Sequence, residues 1–222
     1  MGKKGLFVLV LTVVVTAWAF AMPDLPEFRF SLGGGGYLTG DFGGGARGSG
    51  PGVSGTIRNP YFGGGAFIFV DATFVELSLG IFGGGGTSSE EWTGVPRYSW
   101  SRSFSGLDIG LLGKYPVVMS SQLTVFPIAG INFRSIFSVR DAGYGRRSNS
   151  SDFSALWFKL GGGLDYFLTD HIFLRGQVLY GFRVRNRAER DEVNYWNRYP
   201  GVSARARLGH GPTIRFAVGY RF

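Results

Sequence analysis

The last ten residues of the sequence, 213–222, alternate between large apolar side chains and small or polar ones. Successive side chains of a β-strand point to opposite faces, so one face of this segment suits hydrocarbon and the other suits water. The length matches a strand that crosses a bilayer, about 9–11 residues. The pattern also fits an amphipathic strand of a soluble β-sandwich. The apolar face carries Ile214, Phe216, Val218, Tyr220 and Phe222, and the other face carries Thr213, Arg215, Ala217, Gly219 and Arg221.

Seven earlier segments show the same alternation, which makes eight in all. In the third segment, Val75 and Leu77 flank Glu76. The second segment is less regular, because 67–70 is apolar throughout. Pro127 interrupts the fifth segment, and since proline cannot donate to a β-ladder, we expect a break or a register shift there. The eight segments are approximately 28–37, 61–70, 73–83, 104–115, 122–134, 153–166, 172–184 and 213–222.

The connections between these segments alternate in length. Three are short, at 71–72, 116–121 and 168–171. The other four are long and cover approximately 38–60, 84–103, 135–152 and 185–211. An even number of strands with alternating short and long connections is typical of outer-membrane barrels, in which short turns are periplasmic and long loops extracellular. The sequence therefore predicts an all-β fold, an eight-stranded antiparallel transmembrane β-barrel with short periplasmic turns and four long extracellular loops.

The amino end has the features of an export signal. Lys3 and Lys4 precede an apolar run at 6–20, and an A-x-A site follows at 19–21. We therefore expect residues 1–21 to be a cleaved signal peptide and 22–222 to form the barrel. A retained transmembrane anchor is the alternative, but its apolar run is short against the ~20 residues needed to span a bilayer.

These features resemble the small eight-stranded bacterial outer-membrane β-barrel family of the OmpA, OmpX, OmpW and Opa type. The resemblance covers nearly all of 22–222 and includes the ending Gly219-Tyr220-Arg221-Phe222. It implies a monomeric barrel in the bacterial outer membrane, surrounded by outer-membrane lipids. It also implies that Tyr220 and Phe222 form a C-terminal signal read by the barrel-insertion machinery.

Composition removes several classes of function. The chain has no cysteine, which excludes a disulfide scaffold, thiolate metal sites and cysteine nucleophiles. Its net charge of +8 could indicate nucleic acid, but export argues against that partner. His171 and His210 are the only histidines, and neither has the His-x-Ser arrangement of the barrel deacylases. We therefore expect no catalytic residue, no metal site and no cofactor.

Charged residues of both signs fall on the inward face of the predicted strands. Unpaired charges in a closed lumen are costly, so we expect them to form a lumen charge network. In so narrow a barrel such a network favours a bonded plug over a selective passage. Because arginines exceed carboxylates, a few positive groups could remain free to bind an anion. The predicted network comprises Arg29, Glu76, Asp108, Arg134, Lys159, Asp165, Arg175, Arg183, Arg215 and Arg221.

The predicted loops combine arginine with tyrosine and tryptophan. That composition is typical of binding surfaces, but it also fits an interfacial aromatic girdle with arginines on anionic lipid headgroups. The candidate loop-binding residues are Trp92, Trp100, Tyr144, Arg187, Tyr195, Trp196 and Arg198.

The favoured function is a non-enzymatic surface protein whose loops bind extracellular or host ligands or support the envelope. The alternative is a small diffusion channel for OmpW-like solutes, which the charged lumen suits poorly. A barrel lipid-modifying enzyme ranks third.

Overall fold

Eight long strands form a closed ring in the computed structural model, which describes residues 27–142, 150–184, 186–198 and 200–222. Each strand pairs antiparallel with two neighbours, in the order β1-β4-β5-β6-β8-β9-β10-β12, and β12 pairs again with β1. The closing register places Leu38 opposite Ile214. The predicted signal peptide lies outside the described residues. The strands of the ring are β1 (Phe30–Asp41), β4 (Tyr61–Ala72), β5 (Val75–Trp92), β6 (Val95–Lys114), β8 (Leu123–Ala142), β9 (Ala155–Phe167), β10 (Ile172–Arg183) and β12 (Gly209–Arg221).

The outward face of the ring is apolar, as the alternation predicts. Along β5, Val75, Leu77 and Ile81 point outward and are exposed, whereas Glu76, between Val75 and Leu77, points inward and is buried. In 67–70, where the pattern was ambiguous, Phe67 and Phe69 point inward. We call the outward-facing apolar side chains of the eight strands the apolar belt.

Aromatic rings fill much of the interior, and glycines on the inward face make room for them. The Phe173 ring is fully buried against Gly219, where an added Cβ would come within 2.2 Å of a ring carbon. Gly33 stands in the same relation to Phe69, at 2.6 Å. This agrees with a lumen only wide enough for packed side chains. The main interior cluster contains Tyr37, Phe67, Phe69, Phe82, Ile136, Phe167, Phe173 and Ala217.

Pro127 does not break its strand, so that expectation was wrong. β8 runs through Pro127, which pairs with Gly162 of β9 without a register shift. On its other side, β6 ends at Lys114 and the short β7 (Val117–Val118) begins later. The missing N–H falls where β8 changes partner, which is why the ladder tolerates proline there.

The long connections fold into a structured cap at one end of the ring. The prediction of long loops at 84–103 and 135–152 must be corrected, because β5 and β6 form one continuous hairpin and β8 extends to Ala142. Only the residues between Trp92 and Val95 turn the hairpin. On its edge lie β2 (Gly45–Gly50), β3 (Val53–Arg58) and β11 (Ser203–Arg207), paired in the order β11-β2-β3-β5.

One α-helix, α1 (Arg187–Trp196), covers the inner face of this extension. Asn186 caps it, accepting a hydrogen bond from the Glu189 backbone N–H at 3.0 Å. Among the described residues, no helix has the length and apolarity needed to cross a bilayer. We call residues 42–60, 86–101, 186–198 and 200–208 the cap. Its own hydrophobic core consists of Ala46, Ile57, Trp100, Val193 and Ala204.

Candidate functional site: the barrel interior and the cap

Arg175 of β10 is the centre of an ion network near the short-turn end of the ring. Its guanidinium lies 2.7 Å from Asp165, 2.6 Å from Asp71 and 2.9 Å from Glu76. It also stacks on the Phe69 ring at 4.5 Å. Asp71 receives a second ion pair, from Lys114. Four strands are therefore joined across the lumen through one buried guanidinium.

Glu76 links this cluster to the next arginine along the axis. Its Oε1 accepts from Arg215 at 2.7 Å, while its Oε2 accepts from Arg175 and from Gln177. Arg215 packs over Phe67 at 3.9 Å. Glu76 is only 1% exposed, so its charge depends on these partners rather than on water.

A third layer surrounds Asp108. Arg134 donates two hydrogen bonds to this carboxylate, at 2.8 and 2.9 Å, and Tyr37 donates a third at 2.9 Å. Arg134 also reaches the Tyr61 hydroxyl and packs over the Phe82 ring at 4.0 Å. A bidentate pair of this kind holds both strands in a fixed register.

Lys159 lies inside the ring but outside the ion pairs. It is buried, and none of the described carboxylates forms an ion pair with it. It borders a cavity of about 20 Å³ that Asn132 and Arg215 also line. That volume has room for about one water molecule.

Arg29 and Arg221 do not belong to the network, and their predicted roles must be corrected. Arg29 precedes β1 and pairs with the exposed Glu27 at 2.6 Å. Arg221 donates to the Asp170 backbone carbonyl at 3.0 Å and packs over Phe167. Both lie at the short-turn rim, and among the described residues neither forms an ion pair with an interior carboxylate.

Sequence reasoning missed three members of the interior network, namely Asp41, Asp71 and Lys114. Asp71 was assigned to the short connection at 71–72, whereas the structure extends β4 to Ala72, so that Asp71 faces inward with Phe69. Lys114 lies an even number of positions after Asp108 in the same strand and therefore faces the lumen as Asp108 does. This spacing could have identified it from the sequence. Asp41 was assigned to a loop, whereas the structure places it at the end of β1 with 0% exposure.

Arg183 joins the barrel to the cap. Its guanidinium lies 3.0 Å from Asp41 of β1 and 2.5 Å from Glu189 of α1. The Gly45 backbone N–H donates to the same Glu189 carboxylate at 3.1 Å. Burial raises the pKa of Glu189 above its ordinary value, against the lowering effect of Arg183. The helix is therefore fixed over the barrel mouth by buried charged contacts.

Four of the predicted loop-binding residues meet at one cleft of the cap, which we call the cap cleft. Trp100, Tyr195, Trp196 and Arg198 line it, and its volume is about 400 Å³. Trp100 is buried in the cap core, so it forms the floor of the cleft rather than a projecting contact. Trp92 stacks on Trp196 with ring centroids 4.1 Å apart.

The two remaining loop candidates are Arg187 and Tyr144. Arg187 is exposed at the start of α1, with its Nε 3.8 Å from Asp152. Tyr144 lies outside the described residues.

Acidic residues outnumber basic ones around the cap cleft, which the sequence did not reveal. Glu90, Asp152, Asp191 and Glu192 line it, against Arg102 and Arg198. Arg102 is paired with Asp141 at 2.6 Å. Burial raises the pKa of Glu192 to about 7, with Arg102 opposing the shift. One Glu192 carboxylate oxygen is buried without a hydrogen-bond partner among the described residues.

The two histidines lie at opposite ends of the barrel. Nδ1 of His171 is 2.9 Å from the Arg221 carbonyl oxygen and its ring stacks on Tyr220. Nδ1 of His210 is 2.6 Å from the Tyr180 hydroxyl. In the part of the chain that the structure describes, no group of three or more histidine or acidic side chains is arranged to hold a metal ion.

The closed ring, the apolar exterior and the charged interior together define a small antiparallel β-barrel of the membrane type. No protein-family model matches the sequence, and no curated protein matches it. Among solved structures, the barrel is similar to the outer-membrane protein OprG from Pseudomonas aeruginosa, with a TM-score of 0.51 and 14% identity. That similarity covers 90% of this chain and 98% of OprG.

A second similarity is to Ail, the attachment invasion locus protein of Yersinia pestis, solved with the heparin analogue sucrose octasulfate. Its TM-score is 0.37 at 13% identity, covering 88% of this chain and 99% of Ail. The fold assignment depends on OprG, the stronger of the two similarities. The chain has the fold of a small outer-membrane β-barrel protein, as the sequence resemblance predicted.

Proposed function

We propose that the protein is an integral outer-membrane β-barrel that holds a folded cap at the cell surface, and that the cap binds an extracellular ligand. The apolar belt supports membrane insertion, because a ring of exposed aliphatic and aromatic side chains is stable only against hydrocarbon. The likeness to OprG supports the same location. In this orientation the short turns face the periplasm and the cap faces outward.

The observation that carries the proposal is the filled lumen. Arg175, Glu76 and Arg215 form a continuous chain of ion pairs across the interior, and each is buried. The cavity beside Lys159 measures about 20 Å³, which is far too small for a solute. Buried charges fixed by several partners are expensive to separate, so the interior acts as a structural plug. Binding is therefore assigned to the cap.

The cap cleft is the proposed ligand site. Its aromatic floor and its excess of carboxylates suit a ligand that offers apolar C–H faces together with hydroxyl or cationic groups, such as a sugar or an amine. The barrel is proposed to have no enzymatic role, since neither histidine side chain hydrogen-bonds to a serine or a carboxylate in its described contacts.

Export and assembly complete the proposal. Residues 1–21 are proposed to direct export, and Tyr220 and Phe222, both exposed, to be read during insertion. The barrel is proposed to be a monomer that contacts outer-membrane lipids along the apolar belt.

Two experiments test the proposal on the refolded full chain. Planar-bilayer recording should show no steady conductance steps, and steps that respond to lumen substitutions would favour the channel instead. A screen of immobilised glycans and polyamines should identify a ligand whose binding is lost in Tyr195→Ala/Arg198→Ala. The matched control Arg97→Ala/Arg190→Ala changes exposed residues that do not line the cleft. Equal binding by both double variants would contradict the cleft assignment.

A further inference from the structure

The outward face of the cap sheet carries a compact group of arginines. Two rows of paired residues cross this sheet. One row is Arg205, Arg47, Thr56 and Glu91, and the next is Arg207, Gly45, Arg58 and Ser89. Residues paired across antiparallel strands point to the same face, so the four arginines project from one side. We call Arg47, Arg58, Arg205 and Arg207 the arginine face.

The charges on this face are not neutralised within the protein. Among the described residues, none of the four arginines forms an ion pair, and Arg47, Arg58 and Arg205 are exposed while Arg207 is half-buried. Arg205 and Arg47 stand directly opposite each other on neighbouring strands. Like charges in this position destabilise a sheet. Glu91 lies on the same row, but Thr56 separates it from Arg47.

The shape of the face favours a compact anion. Gly45 lies between Arg207 and Arg58 in its row and has no side chain, so no third side chain separates these two arginines. A shallow groove of about 260 Å³ continues from Arg47 and Arg58 past Ser54, Thr56 and Thr93, and the Glu91 carboxylate lines its far side. Guanidinium groups bind phosphate oxygens bidentately. The Ser54 and Thr93 hydroxyls are hydrogen-bonded to each other, which leaves the Thr56 hydroxyl as a further donor beside the arginines.

The height of the face relative to the apolar belt identifies the source of the anion. Phe62 is exposed and pairs with Gly85 of β5, which places the outer edge of the belt at that level. Ser89, in the row of Arg58 and Arg207, lies four residues further along β5. At about 3.3 Å per residue and a tilt of about 45°, this row is roughly 9 Å above the hydrocarbon. The polar layer of a bilayer leaflet is about 5–8 Å thick, within reach of an arginine side chain.

The side chains of the arginine face also point away from the barrel axis, into the polar layer beside the barrel rather than along the axis into solvent. Ser89 has the same strand parity as Leu77 and Ile81, whose side chains belong to the apolar belt. Exposed Leu208 directly follows Arg207 in the chain, so apolar and cationic surfaces adjoin. An apolar wall with a cationic band above it matches an amphiphile with acyl chains and a phosphorylated head.

We infer that the arginine face binds the phosphate groups of a phosphorylated glycolipid in the outer leaflet. This inference rests on the proposed membrane location of the barrel. The lipid occupies the apolar belt with its chains, and its sugar-linked phosphates lie between Arg58 and Arg207 and beside Arg47 and Arg205. The bound phosphates relieve the repulsion between the paired arginines and fix the cap against the membrane surface.

The test measures binding of diphosphorylated lipid A to the full chain refolded in detergent micelles, by titration monitored with native mass spectrometry. Arg47→Ser/Arg205→Ser/Arg207→Ser should weaken binding on the order of a hundredfold, since each arginine near a charged lipid surface contributes about fivefold. Arg47→Ser alone should lose several-fold, and the matched control Arg190→Ser, on the exposed side of α1, less than twofold. Arg47→Lys/Arg205→Lys should retain part of the affinity, because the charge remains but the bidentate geometry is lost.

Two further arms settle the source of the phosphate. Lipid A with its phosphates removed should bind as weakly as the triple variant, and excess inorganic phosphate should compete poorly because it lacks the acyl chains. Equal binding of the dephosphorylated lipid, equal loss in Arg190→Ser, or full displacement by inorganic phosphate would each overturn the inference. Heat-modifiable migration of each variant in gels reports barrel folding separately. A chain that fails to fold in micelles argues against the membrane proposal instead.

Discussion

Arg183 of the barrel and Glu189 of the cap helix meet in a buried ion pair of 2.5 Å, only six residues apart in the sequence. The same arginine lies 3.0 Å from Asp41 on the neighbouring side of the mouth. β10 ends at Arg183, and α1, which begins at Arg187, lies against the same guanidinium through Glu189. The orientation of the helix over the lumen therefore depends on one cation and two carboxylates.

Glu189→Gln should loosen the cap without unfolding the barrel. The substitution removes the charge opposite Arg183 and weakens the acceptor of the Gly45 N–H, at a cost of about 1–3 kcal/mol. Hydrogen–deuterium exchange should accelerate in 42–60 and 186–198 while the ring strands stay protected. Glu91→Gln is the control, because that exposed carboxylate makes no ion pair among the described residues. Unchanged exchange in Glu189→Gln would show that the ion pair does not hold the helix.

Glu76→Gln should destabilise the whole barrel. Two buried arginines, Arg175 and Arg215, would lose a shared anion, and breaking a buried pair costs about 3–5 kcal/mol. The measurement is the temperature at which the compact gel band converts to the unfolded one. Glu27→Gln provides the contrast, since its pair with Arg29 is solvent-exposed and screened by water. Similar shifts for the two variants would mean that the interior charges do not stabilise the ring.

Cap stability should fall as pH rises from about 4.5 to about 7. Burial raises the pKa of Glu192 to about 7, from an ordinary value of 4.5. Between these values the folded cap keeps a proton that the unfolded cap releases, so the folded state loses stability as the pH increases. At about 1.4 kcal/mol per pKa unit, the total loss is about 3 kcal/mol.

Glu192→Gln should remove most of this dependence, leaving the resistance of the cap to protease nearly the same at about pH 5 and about pH 8. Glu189, whose pKa burial also raises, remains in the variant and contributes a smaller slope of the same sign. A wild-type cap that becomes more resistant as pH rises would contradict the assigned direction.

Gly219→Ala should be poorly tolerated, whereas Gly83→Ala should be nearly neutral. A Cβ at position 219 meets the buried Phe173 ring at 2.2 Å, while a Cβ at position 83 meets nothing within 4 Å. Overpacking of this kind costs about 1–3 kcal/mol. Urea unfolding of the two variants in micelles measures the difference. Adding Phe173→Leu to Gly219→Ala should restore part of the loss, and no restoration would locate the strain elsewhere.

The sequence predicted the ring well because its alternation has a physical cause. Every second residue of a membrane strand faces hydrocarbon, so Val75, Leu77 and their counterparts on the other strands marked both the strands and their faces. The rule failed at 67–70 because a narrow lumen also accepts phenylalanine, provided a facing glycine gives it room. Both faces of β4 then looked alike.

The partners within the interior could not be predicted. Arg175 bonds to residues 10, 99 and 104 positions away, and those pairings depend on the stagger of the closed ring. The cap was mistaken for loops because its strands are not bounded by hydrocarbon and lack a clear alternation. Trp100 therefore seemed available for binding, although it packs in the cap core.

The pairing of β12 with both β1 and β10 has a consequence for biogenesis. Until the last strand is in place, two long edges remain open in a chain whose outward side chains avoid water. The residues that pair when the ring closes, such as Leu38 and Ile214, are far apart in the sequence. Contacts between distant residues form slowly, so closure of the ring is a slow step of folding. The newly made polypeptide must therefore be shielded from aggregation until both termini meet.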